Sequence, residues 1–372
     1  MKIGFDAKRA FCNNSGLGNY SRMVIAGIAL SLPTVLYTPK MKGRHEHYFD
    51  AFGQLLVVAP QGVWRFANGL WRCVAIGRRL QRDGVQIYHG LSHELPYGIP
   101  SGVKCVVTMH DLIVRRYPEY FNWFDRIIHR IKQRHACRVA DVVVAISQQT
   151  RRDLVDLMHI PEWKIKVVYQ SCDPIFWECR DAVNSISAVR EKYSLPERYV
   201  VCVGTVEQRK NQEVAVRALA QLPADIALVI VGRPRGSYPQ RVRSVVRECG
   251  VENRVMFLEN ASFSDFPALY AGAIASVYMS RFEGFGIPVL ESLCCDTPVV
   301  TSNISSMPEA GGDAALYADP NDVDAVAALL RRLAEDWAFR EECITKGRTH
   351  RMRFAPEKVT QEMLALYRSL LD

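Results

Sequence analysis

The chain has 372 residues, 49% apolar and 23% charged, with 23 Gly, 18 Pro and a net charge of +8. That length suits two domains of about 150–200 residues, and a near-average composition excludes a disordered tail protein, a collagen-like repeat and a small disulfide scaffold. The charge is uneven: residues 1–175 carry 24 Lys and Arg against 13 Asp and Glu, whereas residues 176–372 carry 23 against 26.

In chain order, strand Lys2–Asp6 leads into the glycine-rich Ser15-Gly16-Leu17-Gly18-Asn19-Tyr20 and a helix over Gly18–Leu30. The N–H groups there can cradle a phosphate or a sugar; equally, the glycines can serve a tight turn. A dinucleotide fingerprint is excluded, because Ser21 stands where the third glycine belongs and strand Thr34–Tyr37 leads to Lys40, not to an acid. Strand Leu55–Ala59, a helical stretch Val63–Arg82, and strands Val85–Tyr88 and Lys104–Met109 follow. His110-Asp111 comes directly after the last of these, where a histidine can hydrogen-bond a ligand or form a structural pair with its neighbour. Helix Trp123–Ala140, strand Asp141–Ile146, helix Gln148–Met158 and strand Lys164–Val168 complete this half.

Between Gln170 and Pro196 the rhythm breaks into a stretch read as an interdomain linker and a lead-in helix. The second half repeats the alternation, with strands Tyr199–Val203, Ala227–Val231, Arg254–Phe257, Ala275–Met279, Pro298–Thr301 and Ala314–Tyr317. Most strands are continuous Val/Ile runs, the pattern of parallel sheets covered by helices on both faces. The expected fold is therefore α/β, with two doubly wound Rossmann-like domains across a cleft: residues 1–175, residues 190–355, and a tail helix 356–372 that packs back on the first domain. Ligands of such sheets sit beyond the carboxyl ends of the strands.

Two segments of the second half stand at such ends. Gly204-Thr205-Val206-Glu207-Gln208-Arg209-Lys210-Asn211 enters a helix with two adjacent cations, which the helix dipole disfavours unless an anion binds there. A guanidinium fork beside an ammonium suits a diphosphate; two solvated cations are the plain alternative. Arg281-Phe282-Glu283-Gly284-Phe285-Gly286-Ile287-Pro288-Val289-Leu290-Glu291 has Pro288 in the first turn of an expected helix. It offers the amides of Gly284, Phe285, Gly286 and Ile287 to an anion. Glu283 falls in the loop and Glu291 one turn into the helix, as a pair for acid–base hydrolysis or as acceptors for sugar hydroxyls.

Glu283 and Glu291, with seven residues between them, resemble the E-x7-E motif of the retaining GT-B glycosyltransferases of group 1. Gly204–Asn211 resembles that family's diphosphate loop, although Thr205 stands where many relatives have Arg. Gly16, His110-Asp111, Val142–Ser147 with Thr150, and Pro308-Glu309 with Gly311–Ala315 also match. The resemblance implies an N-terminal acceptor domain and a C-terminal nucleotide-sugar domain. It gives Arg209 and Lys210 the diphosphate, Glu283 the transferred sugar, and Glu291 the ribose hydroxyls. Gly284-Phe285-Gly286 would offer amides to sugar and phosphate, His110 would touch sugar or β-phosphate, and Gly16 would sit near the acceptor.

The function so implied is retaining transfer of a hexose from a nucleotide-sugar, GDP-mannose first and UDP-sugars second. The acceptor is a glycan or lipid-linked carrier in bacterial surface polysaccharide synthesis. A nucleotide-sugar 2-epimerase of the same fold and a non-catalytic sugar-binding protein are the rival readings. No metal or cofactor is expected, since there is no His/Cys cluster with ligand spacing.

Eleven scattered cysteines with no C-x-x-C lead to an expectation of reduced thiols and a cytoplasmic setting. The chain starts on a strand-like segment without a signal-peptide core and has no bilayer-length apolar run. The basic first half has no nucleic-acid recognition motif. An anionic membrane surface is thus a candidate partner, through the arginines of Val63–Arg82 and of Arg126, Arg130, Lys132, Arg134 and Arg138. There the apolar face Val63, Phe66, Ala67, Leu70, Trp71 and Val74 either meets the lipid, with Trp64 and Trp71 suited to the boundary, or packs on the sheet beside solvated arginines.

Overall fold

A computed structural model describes residues 1–13, 16–41, 45–52, 55–178 and 183–372. Ser15 of the glycine-rich segment and residues 179–182 of the expected linker lie outside them. The chain divides into two units, one of Met1–Ser171 with Phe354–Asp372 and the other of Cys172–Arg353.

The first unit holds a parallel sheet of seven strands: β1 (Ile3–Asp6), β2 (Thr34–Tyr37), β3 (Leu55–Val58), β4 (Ile87–Gly90), β5 (Lys104–Met109), β6 (Val142–Ala145) and β7 (Ile165–Val167). Their spatial order is β3-β2-β1-β4-β5-β6-β7. The second holds six: β8 (Arg198–Val203), β9 (Ile226–Val231), β10 (Val255–Leu258), β11 (Ala275–Tyr278), β12 (Val299–Ser302) and β13 (Leu316–Ala318), in the order β10-β9-β8-β11-β12-β13. Both sheets start centrally, build outward on one side, then return past the first strand to build on the other, which is doubly wound topology. The reversal falls between β1 and β4 in one unit and between β8 and β11 in the other. β9 is buried at all six positions, as a central strand covered on both faces requires.

The tail helix Pro356–Arg368 belongs to the first unit and packs on the helix Gly16–Ala29. Contact is close at Gly27, where any side chain would strike Thr360. Tyr367 reaches the sheet, its hydroxyl 2.6 Å from His89 Nδ1.

The stretch Val63–Arg82 is not one helix. A 3-10 turn (Gly62–Arg65), a single turn (Asn68–Leu70), a π-turn (Trp71–Ala75) and a short helix (Ile76–Arg82) replace it. Trp71, Ile76 and Leu80 pack on the sheet, whereas Val63, Phe66, Leu70 and Val74 stay exposed. Arg72 is no solvated arginine either: it is buried between Asp6 Oδ2 (2.5 Å) and Glu94 Oε2 (2.5 Å).

Candidate active site

At the switch point of the second sheet, β8 and β11 deliver their loops side by side. After β8 the chain makes a 3-10 turn over Gln208–Lys210 and then the left-handed residue Asn211, φ +58°, before helix Gln212–Leu219. Asparagine tolerates that conformation through its short polar side chain. Its Nδ2 donates to the Pro320 carbonyl at 2.7 Å and its Oδ1 accepts from Arg281 Nη2 at 3.2 Å. The turn aims Arg209 and Lys210 at the loop after β11.

There they meet Glu283. Its Oε1 lies 2.5 Å from Lys210 Nζ and 2.5 Å from Arg209 Nη1. Tyr278 OH donates to the same oxygen at 2.8 Å, and Ser280 Oγ lies 2.7 Å from it. Arg209 also donates to the Phe282 carbonyl at 2.7 Å and to Glu207 Oε1 at 2.7 Å. The Glu283 carbonyl accepts from the hydroxyls of Ser305 and Ser306, each at 2.9 Å, which anchors the loop to the end of β12. Burial opposes ionisation of Glu283, but Arg209 and then Lys210 outweigh it and hold the carboxyl well below the usual range. Burial lowers the Lys210 pKa and Arg209 lowers it further, while Glu283 works the other way.

Gly286 precedes helix Ile287–Cys294 with φ +110°, a region open to glycine, and a Cβ there would come within 2.9 Å of Met307 Cε. Pro288 occupies the first turn. Phe285 is fully buried, whereas Gly284 and Ile287 are partly exposed. Glu291 is 7% exposed, and its Oε2 accepts from Tyr270 OH at 3.1 Å. Burial pushes its pKa up to about 7; Asp173 adds to the rise, while Tyr270 and Lys210 oppose it. Lys210 therefore acts electrostatically on both glutamates.

In the first unit, His110 follows β5 and is buried. Its Nε2 lies 2.9 Å from the Leu91 carbonyl, which can only accept, so Nε2 carries the proton and Nδ1 is left as an acceptor. Burial, with His93 beside it, depresses its pKa to about 3, so the ring is neutral. Tyr20 lies edge-on to the ring, centroids 4.7 Å apart. Asp111 caps the next turn, its Oδ1 accepting from the Ile113 N–H at 3.1 Å. Gly16 opens helix Gly16–Ala29 with free space where a side chain would stand, whereas a Cβ at Gly18 would collide with the Asn13 carbonyl.

The structure thus brings together Arg209, Lys210 and Glu283, with Glu291 nearby. Gly16 and His110 belong to the other unit. Sequence reasoning missed Tyr278, Ser280, Glu207 and Tyr270. The signal for the first two was present, since the end of β11 places a phenol and a hydroxyl five and three residues ahead of Glu283.

Two switch-point sheets, with paired cations meeting a carboxylate at the second, define the frame of a GT-B glycosyltransferase. Comparison with known proteins agrees. Residues 186–350 match the model of the group 1 glycosyl transferases, and residues 28–175 match that of glycosyltransferase family 4. O-antigen chain mannosyltransferase B of Escherichia coli is 32% identical over 76% of this chain and 74% of its own length. A D-inositol 3-phosphate glycosyltransferase of Salinispora tropica is 30% identical over 90% of this chain and 74% of its own. Among solved structures, Anabaena Alr3699/HepE in complex with UDP-glucose superposes with a TM-score of 0.78 at 18% identity, covering 99% of this chain and all of that one. The chain belongs to the group 1 glycosyltransferases.

Proposed function

We propose that the chain transfers a mannosyl residue from GDP-mannose to a glycan or lipid-linked acceptor of bacterial surface polysaccharide, with retention of anomeric configuration. The single observation behind the chemistry is the cluster in which Arg209 and Lys210 converge on Glu283. Donor and acceptor are read from the likeness to the O-antigen chain mannosyltransferase.

In this reading the donor diphosphate takes the two cations. Negative charge grows on the diphosphate as the glycosidic bond breaks, and fixed cations in a water-poor site stabilise that charge more than they stabilise the ground state. Arg209 and Lys210 supply the charge that a divalent ion supplies elsewhere, so the reaction needs no metal. Glu283, kept ionised, accepts hydrogen bonds from hydroxyls of the transferred sugar. Glu291 accepts from the ribose hydroxyls. His110, with its donor spent on Leu91, accepts from a sugar hydroxyl at Nδ1. The incoming acceptor hydroxyl gives its proton to the departing diphosphate oxygen on the same face, which preserves the configuration.

A UDP-sugar is the second reading, favoured by the UDP-glucose complex of the HepE structure. Incubation with radiolabelled GDP-mannose or UDP-glucose and a lipid-linked glycan separates the two. An α-mannoside formed only from GDP-mannose supports the proposal. Label moving only from UDP-glucose replaces the donor, and an epimerised sugar with no product bond replaces the activity.

A further inference from the structure

The segments Gly62–Arg82 and Trp123–Val139 carry the chain from β3 to β4 and from β5 to β6, in the same direction across the sheet. Right-handed crossovers in one direction lie on one face. Trp71, Ile76 and Leu80 accordingly share one buried cluster with Ala136 and Cys137. With those residues used on the sheet, each segment keeps a second apolar set facing outward. On the first it is Val63, Phe66, Leu70 and Val74, with Phe66 95% exposed. On the second it is Trp123, Phe124, Ile127 and Ile131, with Trp123 69% exposed.

The two segments are bound to each other through residues 94–97. Glu94 accepts from Arg72 Nη1 at 2.5 Å and from Lys132 Nζ at 3.0 Å. The Tyr97 N–H donates to the Cys73 carbonyl at 2.6 Å, and its ring stacks on His135 with centroids 3.8 Å apart. A crossover segment runs antiparallel to its strands, so its first half lies toward their carboxyl ends. Val63, Phe66 and Leu70 on the first segment and Trp123, Phe124 and Ile127 on the second fall in those first halves, toward the edge where β5 delivers His110.

Charge identifies the occupant. The two segments carry ten Lys and Arg and a single acid, Asp125. Arg65, Arg130, Arg134 and Arg138 are exposed. A second copy of this chain would set this cationic face against itself, which repulsion opposes. Exposed Trp, Phe, Ile and Leu with arginines beside them match a surface of anionic headgroups over an apolar interior, where indoles and phenyl rings settle at the boundary. We propose that this face docks the first unit on an anionic lipid bilayer, the apolar sets entering the headgroup layer and the arginines pairing with lipid phosphates. The inference stands on this surface and does not depend on which sugar is transferred.

Sedimentation with phosphatidylglycerol-containing and pure phosphatidylcholine vesicles tests it with the full chain. The chain should favour the anionic vesicles by roughly tenfold or more at low salt, and high salt should reduce that preference. Phe66→Ser with Trp123→Ser, and separately Arg130→Glu with Arg134→Glu, should each cut binding by a similar factor. Unchanged circular dichroism and nucleotide affinity would show that both variants fold. Equal affinity for the two vesicle types at low salt would overturn the proposal, as would variants that bind like the parent. A concentration-dependent dimer abolished by the Phe66/Trp123 pair would assign the face to a second copy instead.

Discussion

Lys210 and Glu283, 73 residues apart in sequence, meet with 2.5 Å between Nζ and Oε1. The cations of the proposed diphosphate site and the carboxylate of the proposed sugar site thus neutralise each other in the free chain. Removing either partner leaves the other buried against an altered field, which costs more than an exposed pair would. Binding of the donor on this account is an exchange: the diphosphate takes over the cations as sugar hydroxyls take over the carboxylate.

Replacing Lys210 by Ala removes one charge-assisted contact to the leaving diphosphate, worth about 1.5–3 kcal/mol. Turnover should fall roughly ten- to a hundredfold. Arg209 still holds Glu283, so the variant should fold. Steady-state kinetics on a variant shown to be folded by a cooperative melting transition check this, and parental turnover would contradict the role.

Glu283→Gln should act in the opposite sense on binding and turnover. With the internal counter-charge gone, Arg209 and Lys210 are freer to hold a nucleoside diphosphate, so its affinity should hold or rise. Turnover should drop because the sugar hydroxyls lose their charged acceptor for a weaker neutral one. Calorimetric titration with the free diphosphate, set beside initial rates, separates the two effects. Lost diphosphate affinity at unchanged turnover would reverse the assignment.

Glu291, raised to about 7 by burial, makes a pH prediction. A carboxyl with a raised folded-state pKa binds its proton more tightly folded than unfolded, so stability falls as pH climbs from about 4.5 to about 7, by up to ~3 kcal/mol. Glu291→Gln should therefore melt higher than the parent at pH 8, with the gap closing toward pH 5. The ribose reading needs the ionised form, so parental nucleotide affinity should weaken below pH 7 while the Gln variant stays weak and flat. Titrations at several pH values decide the matter, and a flat parental profile would count against it.

Three buried histidines set the acid limit of the first unit. Burial lowers His89 to about 3, His93 to about 4 and His110 to about 3. A depressed histidine leaves the unfolded state binding more protons below about pH 6.5, so stability falls with acidification from there downward. Each group contributes up to about 1.4 kcal/mol per pH unit. Melting between pH 7.5 and pH 5 should show the midpoint dropping steadily. A constant midpoint would contradict the neutral, buried state of these rings.

The strands were legible because buried parallel strands are written as Val/Ile runs. β8, β9 and β11 fall within a residue of the stretches such runs mark. The loop residues Arg209, Lys210 and Glu283 were legible because they directly follow strands. Their mutual pairing was not, since it depends on β8 and β11 lying side by side, which brings together Lys210 and Glu283 from 73 residues apart. Val63–Arg82 misled for a local reason. Its apolar residues recur at helical spacing, but the helical run breaks at Phe66-Ala67 and widens into a π-turn over Trp71–Ala75, which buries Trp71 and leaves Phe66 outside. Tyr270 as the partner of Glu291 could not be read at all, because two helices bring those residues together.

In the proposed function, Arg209, Lys210 and Glu283 form the centre of a sugar transfer from a nucleoside diphosphate sugar. The most direct measurement is acceptor-dependent release of free GDP from GDP-mannose, with the anomeric configuration of the product read by NMR, for the parent and for Lys210→Ala. The parent should give an α-mannoside and one GDP per linkage, and the variant should release GDP roughly tenfold or more slowly. A β-linked product, or equal release from both proteins, would contradict it.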